Sequence, residues 1–176
     1  MTEINSKENA VEIILEIWDL MERIGYGELK AARVIGLCEL YNHRALRLEP
    51  WVYESVDQLS PTTLKKWRQP TRKRGQGKRG SGCFAKGTFC HDQANHLLAR
   101  YSGVTPSRIY WVICNNLPNE NYRKGTSEAV PHKRSVQRYV KAWRRLESLL
   151  PEGVLQRQQM GEKYYDSMPS LALFVP

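Results

Sequence analysis

The stretch RQPTRKRGQGKRGSG, residues 68–82, limits the folds open to this chain more than any other feature. Its four glycines and six basic side chains offer no apolar stripe with which a helix or strand could pack on a core. It also lies in an acid-free interval, because no Asp or Glu occurs between Asp57 and Asp92. We therefore expect a flexible basic linker over residues 71–86, which separates two small helical modules at 8–70 and 87–150.

The charge of the chain is divided unevenly between its two parts. Residues 1–57 carry eleven acidic and six basic side chains, a net −5, whereas residues 58–176 carry seven acidic and twenty-one basic side chains, a net +14. Positive charge concentrated in one part of a chain indicates a polyanionic partner. A membrane surface would require a basic amphipathic helix with a broad apolar face, which the glycine-rich block cannot form. Nucleic acid is therefore the favoured partner.

Targeting signals and cysteine usage indicate the compartment. No apolar run approaches the roughly 20 residues of a transmembrane helix, and the start MTEINSKENAVEI lacks the basic and apolar regions of a secretory signal. The four cysteines of such a chain are expected to be reduced thiols. These features predict a cytoplasmic protein.

Apolar residues at three- and four-residue spacing predict helices in the first module. One covers residues 8–24 and ends at GYG (25–27), and a second runs roughly over 28–41. Pro50 predicts the start of a third, short helix. The inward side of the second helix is expected to carry Leu29, Ala32, Ile35, Cys38 and either Leu40 or Tyr41.

The motif LSPTTLKKWR predicts a short helix that begins at Pro61. Ser60 is a good N-cap, and proline at the first helical position loses no hydrogen bond. Leu64 and Trp67 are expected to face inward, which leaves hydroxyl and basic residues outward. Such a helix suits DNA recognition, since its first turn can reach base edges while lysines and arginines meet phosphate. An ordinary surface helix is the alternative.

The second module repeats this pattern. Residues 89–101 carry a helical apolar pattern, and a helix capped by Thr105 is expected to bury Ile109, Ile113 and either Tyr110 or Trp111. A long helix is predicted from about Pro131, with its apolar face formed by Val136, Tyr139, Val140, Trp143, Leu146 and Leu150. No acidic residue lies between Glu128 and Glu147. This long helix is therefore a second candidate recognition helix.

The residues expected to bind DNA fall into three groups. The base-edge candidates are Thr62, Lys65, Arg134, Gln137 and Arg138. The phosphate candidates are Lys66, Arg68, Arg72, Arg74, Lys78, Arg144 and Arg145. The remaining residues of the expected surface are Ser60, Thr63, Lys73, Arg79, Arg108, His132, Lys133, Ser135 and Lys141.

Metal-dependent and catalytic alternatives have weak sequence support. Cys83, Cys90 and His91 could bind zinc, but their spacing lacks a paired ligand knuckle and no fourth ligand lies nearby. No nucleophile motif accompanies His91, His96 or His132. A two-metal carboxylate site would need converging acids, which the basic region lacks. We expect no catalytic residue, no metal site and no cofactor in this chain.

Two segments resemble phage Mu-type transposases. The first is YNHRALRLEPWVYESVDQLSPTTLKKW (41–67), in which Ser60, Thr63, Leu64 and Trp67 occupy a Ser-x-x-Thr-Leu-x-x-Trp-like pattern. The second is VPHKRSVQRYVKAW (130–143), which resembles the later helix of the second end-binding subdomain. The resemblance covers roughly residues 10–150. The connection after the first recognition-like helix is longer and more basic than in the phage Mu protein.

The resemblance implies an all-α fold of two helix-turn-helix or homeodomain-like modules, the I-beta and I-gamma subdomains. It implies sequence-specific binding of double-stranded DNA at transposon or prophage ends by the non-catalytic part of a transposase. Residues 151–176 would then lead toward a catalytic domain of the Asp-Asp-Glu type, absent here, in which Mg²⁺ is expected. The resemblance also implies that the full-length protein assembles as an oligomer on DNA and is associated with the bacterial nucleoid.

Three other functions are alternatives to the binding of transposon ends. A transcriptional regulator with two helix-turn-helix modules is the nearest alternative, and dimeric binding to a palindrome would favour it over a monomer on an asymmetric site. An RNA-binding module would need an exposed aromatic platform, which the sequence does not show. Metal-dependent cleavage of DNA would indicate a nuclease.

Overall fold

The computed structural model describes residues 3–26, 30–69, 83–116 and 130–160, and these ranges contain eight helices and no strand. The helices are α1 (Glu3–Arg23), α2 (Lys30–Asn42), α3 (Pro50–Ser55), α4 (Pro61–Arg68), α5 (Phe89–Arg100), α6 (Pro106–Asn116), α7 (Lys133–Leu149) and α8 (Val154–Met160). The predicted all-α class is confirmed. The helix-turn-helix geometry of the modules stays a prediction.

Helix α1 is the central element of the fold. Its apolar residues Ala10, Ile14, Ile17 and Met21 are fully buried, as their helical spacing predicts. The helix ends at Arg23, and Gly25 then takes the left-handed backbone conformation (φ 69°) that glycine adopts without strain. Helix α1 packs against α2, α3, α4 and α7, so it contacts helices on both sides of the basic block at 70–82.

The predicted inward side of α2 is partly wrong. Ala32 is exposed, Ile35 is 49% exposed, and the buried stripe instead contains Val34, Leu37, Cys38 and Tyr41. The rotation of α2 is fixed at its end, where the Tyr41 hydroxyl donates to the carbonyls of Val52 (3.0 Å) and Val56 (2.7 Å). These bonds reach residues 11 and 15 positions further along, so apolar spacing within the helix could not indicate them.

Local signals set the position of α4. The Ser60 side chain accepts a hydrogen bond from the Thr63 N–H (3.1 Å), which confirms the predicted cap. The side-chain amide of Asn42 pairs with both backbone groups of Leu59, at 2.8 and 2.9 Å, and so ties the end of α2 to the residue before the cap. Leu64 is fully buried, as predicted, and Trp67 is half-buried.

The second region contains α5, α6 and α7. The predicted cap of α6 is confirmed, since the Thr105 hydroxyl accepts from the Arg108 N–H (3.2 Å). Thr88 caps α5 in the same way at 3.3 Å, a cap that the sequence reading missed. Tyr101 follows the end of α5 and is 51% exposed, so it does not continue the buried pattern of that helix.

Helix α7 has the two faces that its sequence predicts. The expected apolar residues Val136, Tyr139, Val140, Trp143, Leu146 and Leu150 are all buried. They pack against α1 and α6.

The two predicted modules lie in contact in the structure. Their buried apolar residues belong to one cluster, and the Arg47 N–H donates to the Leu149 carbonyl at 2.7 Å. Helix α8 also packs back, onto α5, and buries Leu155, so residues 154–160 belong to the helical body. The expected linker up to residue 82 and the segment 161–176 lie outside the described residues. Within the described ranges, no helix is both long and apolar enough to cross a bilayer.

Candidate nucleic-acid interface

The outward face of α7 carries most of the predicted DNA-binding residues. All eight side chains expected there are exposed, namely His132, Lys133, Arg134, Gln137, Arg138, Lys141, Arg144 and Arg145, and Ser135 is half-buried. The helix keeps these groups in water because its opposite face is filled by the core. The exposed face has no acidic residue between Lys133 and Arg145.

The cations at the two edges of this face are held by neighbouring groups. Arg145 lies 3.5 Å from the Glu16 carboxylate on α1, and Arg144 donates to the Val104 carbonyl at 2.5 Å. The Lys133 ammonium lies 5.5 Å from the centre of the Tyr110 ring on α6. Each contact anchors a side chain at the border between α7 and a neighbouring helix.

The cations in the middle of the face have no such anchors. Arg134, Arg138 and Lys141 form no hydrogen bond or ion pair with any residue in the described ranges. Their spacing of four and then three residues places them along one stripe of α7. Their charges are therefore available to a partner in solution.

The predicted DNA-binding residues of α4 fall into two groups: some are exposed to solvent, and others form hydrogen bonds that start the helix. Thr62, Lys65 and Lys66 are exposed. Ser60 and Thr63 are joined by a 2.8 Å hydrogen bond between their hydroxyls, in addition to the cap bond, so both take part in starting the helix. The side chains of Thr62, Lys65 and Lys66 take no part in the cap, so they are the ones that α4 presents to a partner.

Arg68, a predicted phosphate contact, is engaged with α1. Its guanidinium forms two hydrogen bonds with the Glu22 carboxylate, one of 2.8 Å, and lies 3.5 Å from an Asp19 oxygen. It also lies 4.3 Å from the centre of the Trp18 ring. A phosphate would have to compete with two carboxylates for this side chain.

The acids of α1 contact both candidate recognition helices. Glu16, Asp19 and Glu22 follow one another at three-residue spacing, and they pair with Arg145 of α7 and Arg68 of α4. The signal that could have found this arrangement is the repeated acid spacing on a helix that precedes two basic helices.

A second missed feature is the outer surface of α6. The sequence left open whether Tyr110 or Trp111 faces inward; Tyr110 is half-buried and Trp111 is 53% exposed. Arg108, which belongs to the predicted DNA-binding set, is exposed with its guanidinium 4.6 Å from the centre of the Trp111 ring.

Five predicted DNA-binding residues cannot be placed on this surface. Arg72, Lys73, Arg74, Lys78 and Arg79 lie in residues 70–82, outside the described ranges.

Cys83, Cys90 and His91, the alternative zinc ligands, do not form a converging ligand set in the described ranges. His91 is buried and its Nε2 donates to the Ile24 carbonyl at 2.9 Å, while its Nδ1 lies 3.4 Å from Asp92. A hydrogen bond from the Cys90 thiol lowers the pKa of Cys83 to about 7, and the same bond raises the pKa of Cys90. The described ranges contain no group of three or more potential metal ligands, and none of the four cysteines forms a disulfide.

A surface cavity of about 520 Å³ lies along α2 and is lined by Arg33, Glu39, Leu40, His43 and Gln158, among others. It shares no residue with the predicted DNA-binding set.

Comparisons with known proteins give no match: no family model, no curated protein and no solved structure is similar to this chain at a significant level.

Proposed function

We propose that this chain binds double-stranded DNA with sequence specificity, as the non-catalytic, end-binding part of a Mu-like DNA transposase. The observation that carries the proposal is the exposed, acid-free face of α7. Arg134, Arg138 and Lys141 on that face have no partner in the described ranges. The buried opposite face holds the helix in place, so these cations are presented at fixed spacing.

The shape of α7 suits a DNA groove. With 17 residues it is about 25 Å long, and an α-helix fits the major groove, which is about 12 Å wide. Arginine can donate two hydrogen bonds to a guanine edge, so Arg134 and Arg138 are the base-reading candidates. Lys133 and Arg144, at the edge toward α6, are placed to meet phosphate.

Helix α4 is proposed as the second contact. Its exposed Thr62 lies in the first turn, and Lys65 and Lys66 follow on its exposed side. The first turn of a recognition helix supplies base contacts in helix-turn-helix proteins. Because α4 and α7 both pack against α1, the two helices would meet DNA as one unit.

The assignment to transposon ends rests on the resemblance of residues 41–67 and 130–143 to Mu-type transposases. Association with the nucleoid and assembly of the full-length protein on DNA belong to the same proposal. In that family the metal-dependent chemistry resides in a further domain, so this chain supplies recognition only.

Selection from a random library tests the proposal and requires no assumption about the DNA site. Duplexes of about 30 bp would be enriched on the protein, and the selected sequence compared with a scrambled duplex by fluorescence anisotropy at several salt concentrations. We expect affinity for the selected site to be at least about 10³-fold higher, with a steep salt dependence for both. Equal affinity for selected and scrambled duplexes would contradict sequence-specific binding.

A substitution on α7 sharpens the test. Arg138→Gln should lose about 1–3 kcal/mol of discrimination between selected and scrambled DNA. The matched control is Arg23→Gln, which removes the same charge from an exposed position at the end of α1. If Arg138→Gln weakens both duplexes equally, Arg138 contacts phosphate and does not read a base.

A further inference from the structure

Trp111 is the largest exposed aromatic side chain in the described ranges. It lies on the outer face of α6 with 53% of its surface exposed, whereas Ile109 and Ile113 of the same helix fill the core. Single exposed apolar side chains are common on protein surfaces, so the groups around the indole decide whether it marks a contact surface.

The surroundings of Trp111 are cationic. The Arg108 guanidinium lies 4.6 Å from the indole centre, and the adjacent Tyr110 ring has the Lys133 ammonium at 5.5 Å. Helix α6 contains no acidic residue. The charge of this surface therefore complements an anion.

The backbone beside Trp111 is already satisfied. The Asn115 amide donates to the Trp111 carbonyl at 2.7 Å, and this bond holds the Asn115 side chain along the helix. The indole thus lies on the outer side of α6 with the Arg108 guanidinium over its ring. This arrangement favours stacking on a flat ring over enclosure of a compact ligand.

A nucleotide combines the two properties that this surface selects. Its base stacks on aromatic rings, and its phosphate pairs with arginine and lysine. Bases within a duplex already stack on their neighbours, whereas an unpaired base has a free ring face. We infer that the outer face of α6 binds an unpaired nucleotide in a single strand that flanks the duplex. This inference rests on the proposed DNA binding of α7, which borders the same surface.

The test uses one 20-bp duplex in three forms: blunt, with a tail of ten thymidines, and with a tail of ten abasic residues. The two tails carry equal numbers of phosphates, so their difference measures the bases alone. We expect the thymidine tail to increase affinity about tenfold over the abasic tail, as stacking of one or two bases would. Equal affinity for the two tailed duplexes would overturn the inference.

Substitutions assign the effect to the indole. Trp111→Ala should abolish the difference between thymidine and abasic tails, and Trp111→Phe, which keeps a flat ring, should retain most of it. Ile35→Ala is the matched control, because Ile35 is equally exposed (49%) but lies on α2. A thymidine preference that survives Trp111→Ala would place the base elsewhere.

The outcomes for the two proposals are separable. Failure of the blunt duplex to bind, with the thymidine preference retained, would reject duplex binding by α7 and leave the Trp111 site standing. Binding of the blunt duplex without any thymidine preference would reject the Trp111 site and leave duplex binding standing.

Discussion

Helices α4 and α7 both bury one face and present basic residues on the other, but they are held in place differently. Helix α4 has eight residues, begins with the Ser60 cap and ends with Arg68 bound to acids of α1. Helix α7 has 17 residues, and its N-cap residue His132 makes no side-chain cap bond. A short helix is marginal without local support, whereas a long amphipathic helix obtains its stability from packing.

The basic residues of the two helices also differ in their contacts with the rest of the fold. The last arginine of α4 stabilises the fold, because it links α4 to Glu22 and Asp19. Helix α7 keeps Arg134, Arg138 and Lys141 on a face with no acid, where they repel one another and contribute nothing favourable to folding. A helix secured by its core can carry such a face, and this is where we expect the stronger DNA contact.

The largest expected effect is loss of the packing that secures α7. Trp143 is fully buried, so Trp143→Ala should lower the free energy of unfolding by about 3–5 kcal/mol. Urea denaturation followed by circular dichroism measures it. Lys141→Ala, on the exposed face of the same helix, should change stability by no more than about 0.5 kcal/mol. A small loss in Trp143→Ala would mean that α7 does not depend on its core face.

A smaller loss is expected from the polar contact between α7 and α5. The buried Tyr139 hydroxyl donates to Asn95 Oδ1 at 2.5 Å, so Tyr139→Phe should cost about 1–3 kcal/mol in the same urea denaturation. Asn95 is itself buried, and the substitution leaves its oxygen without this donor.

The pH dependence provides an independent check on Tyr139. Burial raises its pKa above the ordinary value near 10, so its hydroxyl stays protonated in the folded state while the unfolded state ionises. Stability from this group is complete below about pH 10 and is lost as the pH rises further. Burial also raises the pKa of Tyr41 to about 12, with the same sign. Tyr139→Phe should therefore make the loss above pH 10 shallower, without removing it.

The smallest effects compare the two helix starts directly. Ser60→Ala removes the cap of α4 and should cost about 1 kcal/mol. His132→Ala changes the equivalent position of α7, where no cap bond exists, and should cost less than about 0.5 kcal/mol. Thermal unfolding of the two variants measures both losses of stability. Equal losses of stability would contradict the expectation that α4, unlike α7, depends on its N-cap residue.

The parts of the fold that follow from nearby residues could be read from the sequence. The Ser60 and Thr105 caps and the apolar face of α7 depend on residues within one or two turns, and all three predictions are confirmed. The prediction for α2 took the wrong apolar stripe, since Val34, Leu37, Cys38 and Tyr41 also follow helical spacing and are the residues buried. The hydrogen bonds from Tyr41 to Val52 and Val56 could not be read, because they join residues 11 and 15 positions apart.

The candidate nucleic-acid interface was also predictable only where it depends on residues close together in the sequence. The exposed cations of α7 follow from the helical period, but the engagement of Arg68 depends on Glu22, 46 residues earlier in the chain. Trp111 lies two residues from each of Ile109 and Ile113, which are buried, so the helical period already places it on the outer side of α6.

The Ile24 carbonyl at the end of α1 receives hydrogen bonds from His91 at 2.9 Å and from Gln159 at 3.2 Å. A ribosome produces this acceptor 67 residues before the first donor and 135 residues before the second. Until residue 159 has emerged, the Ile24 carbonyl lacks the later of these two donors. The order of synthesis therefore delays completion of the fold until nearly the whole described chain is present, and the early helices must stay soluble in the meantime.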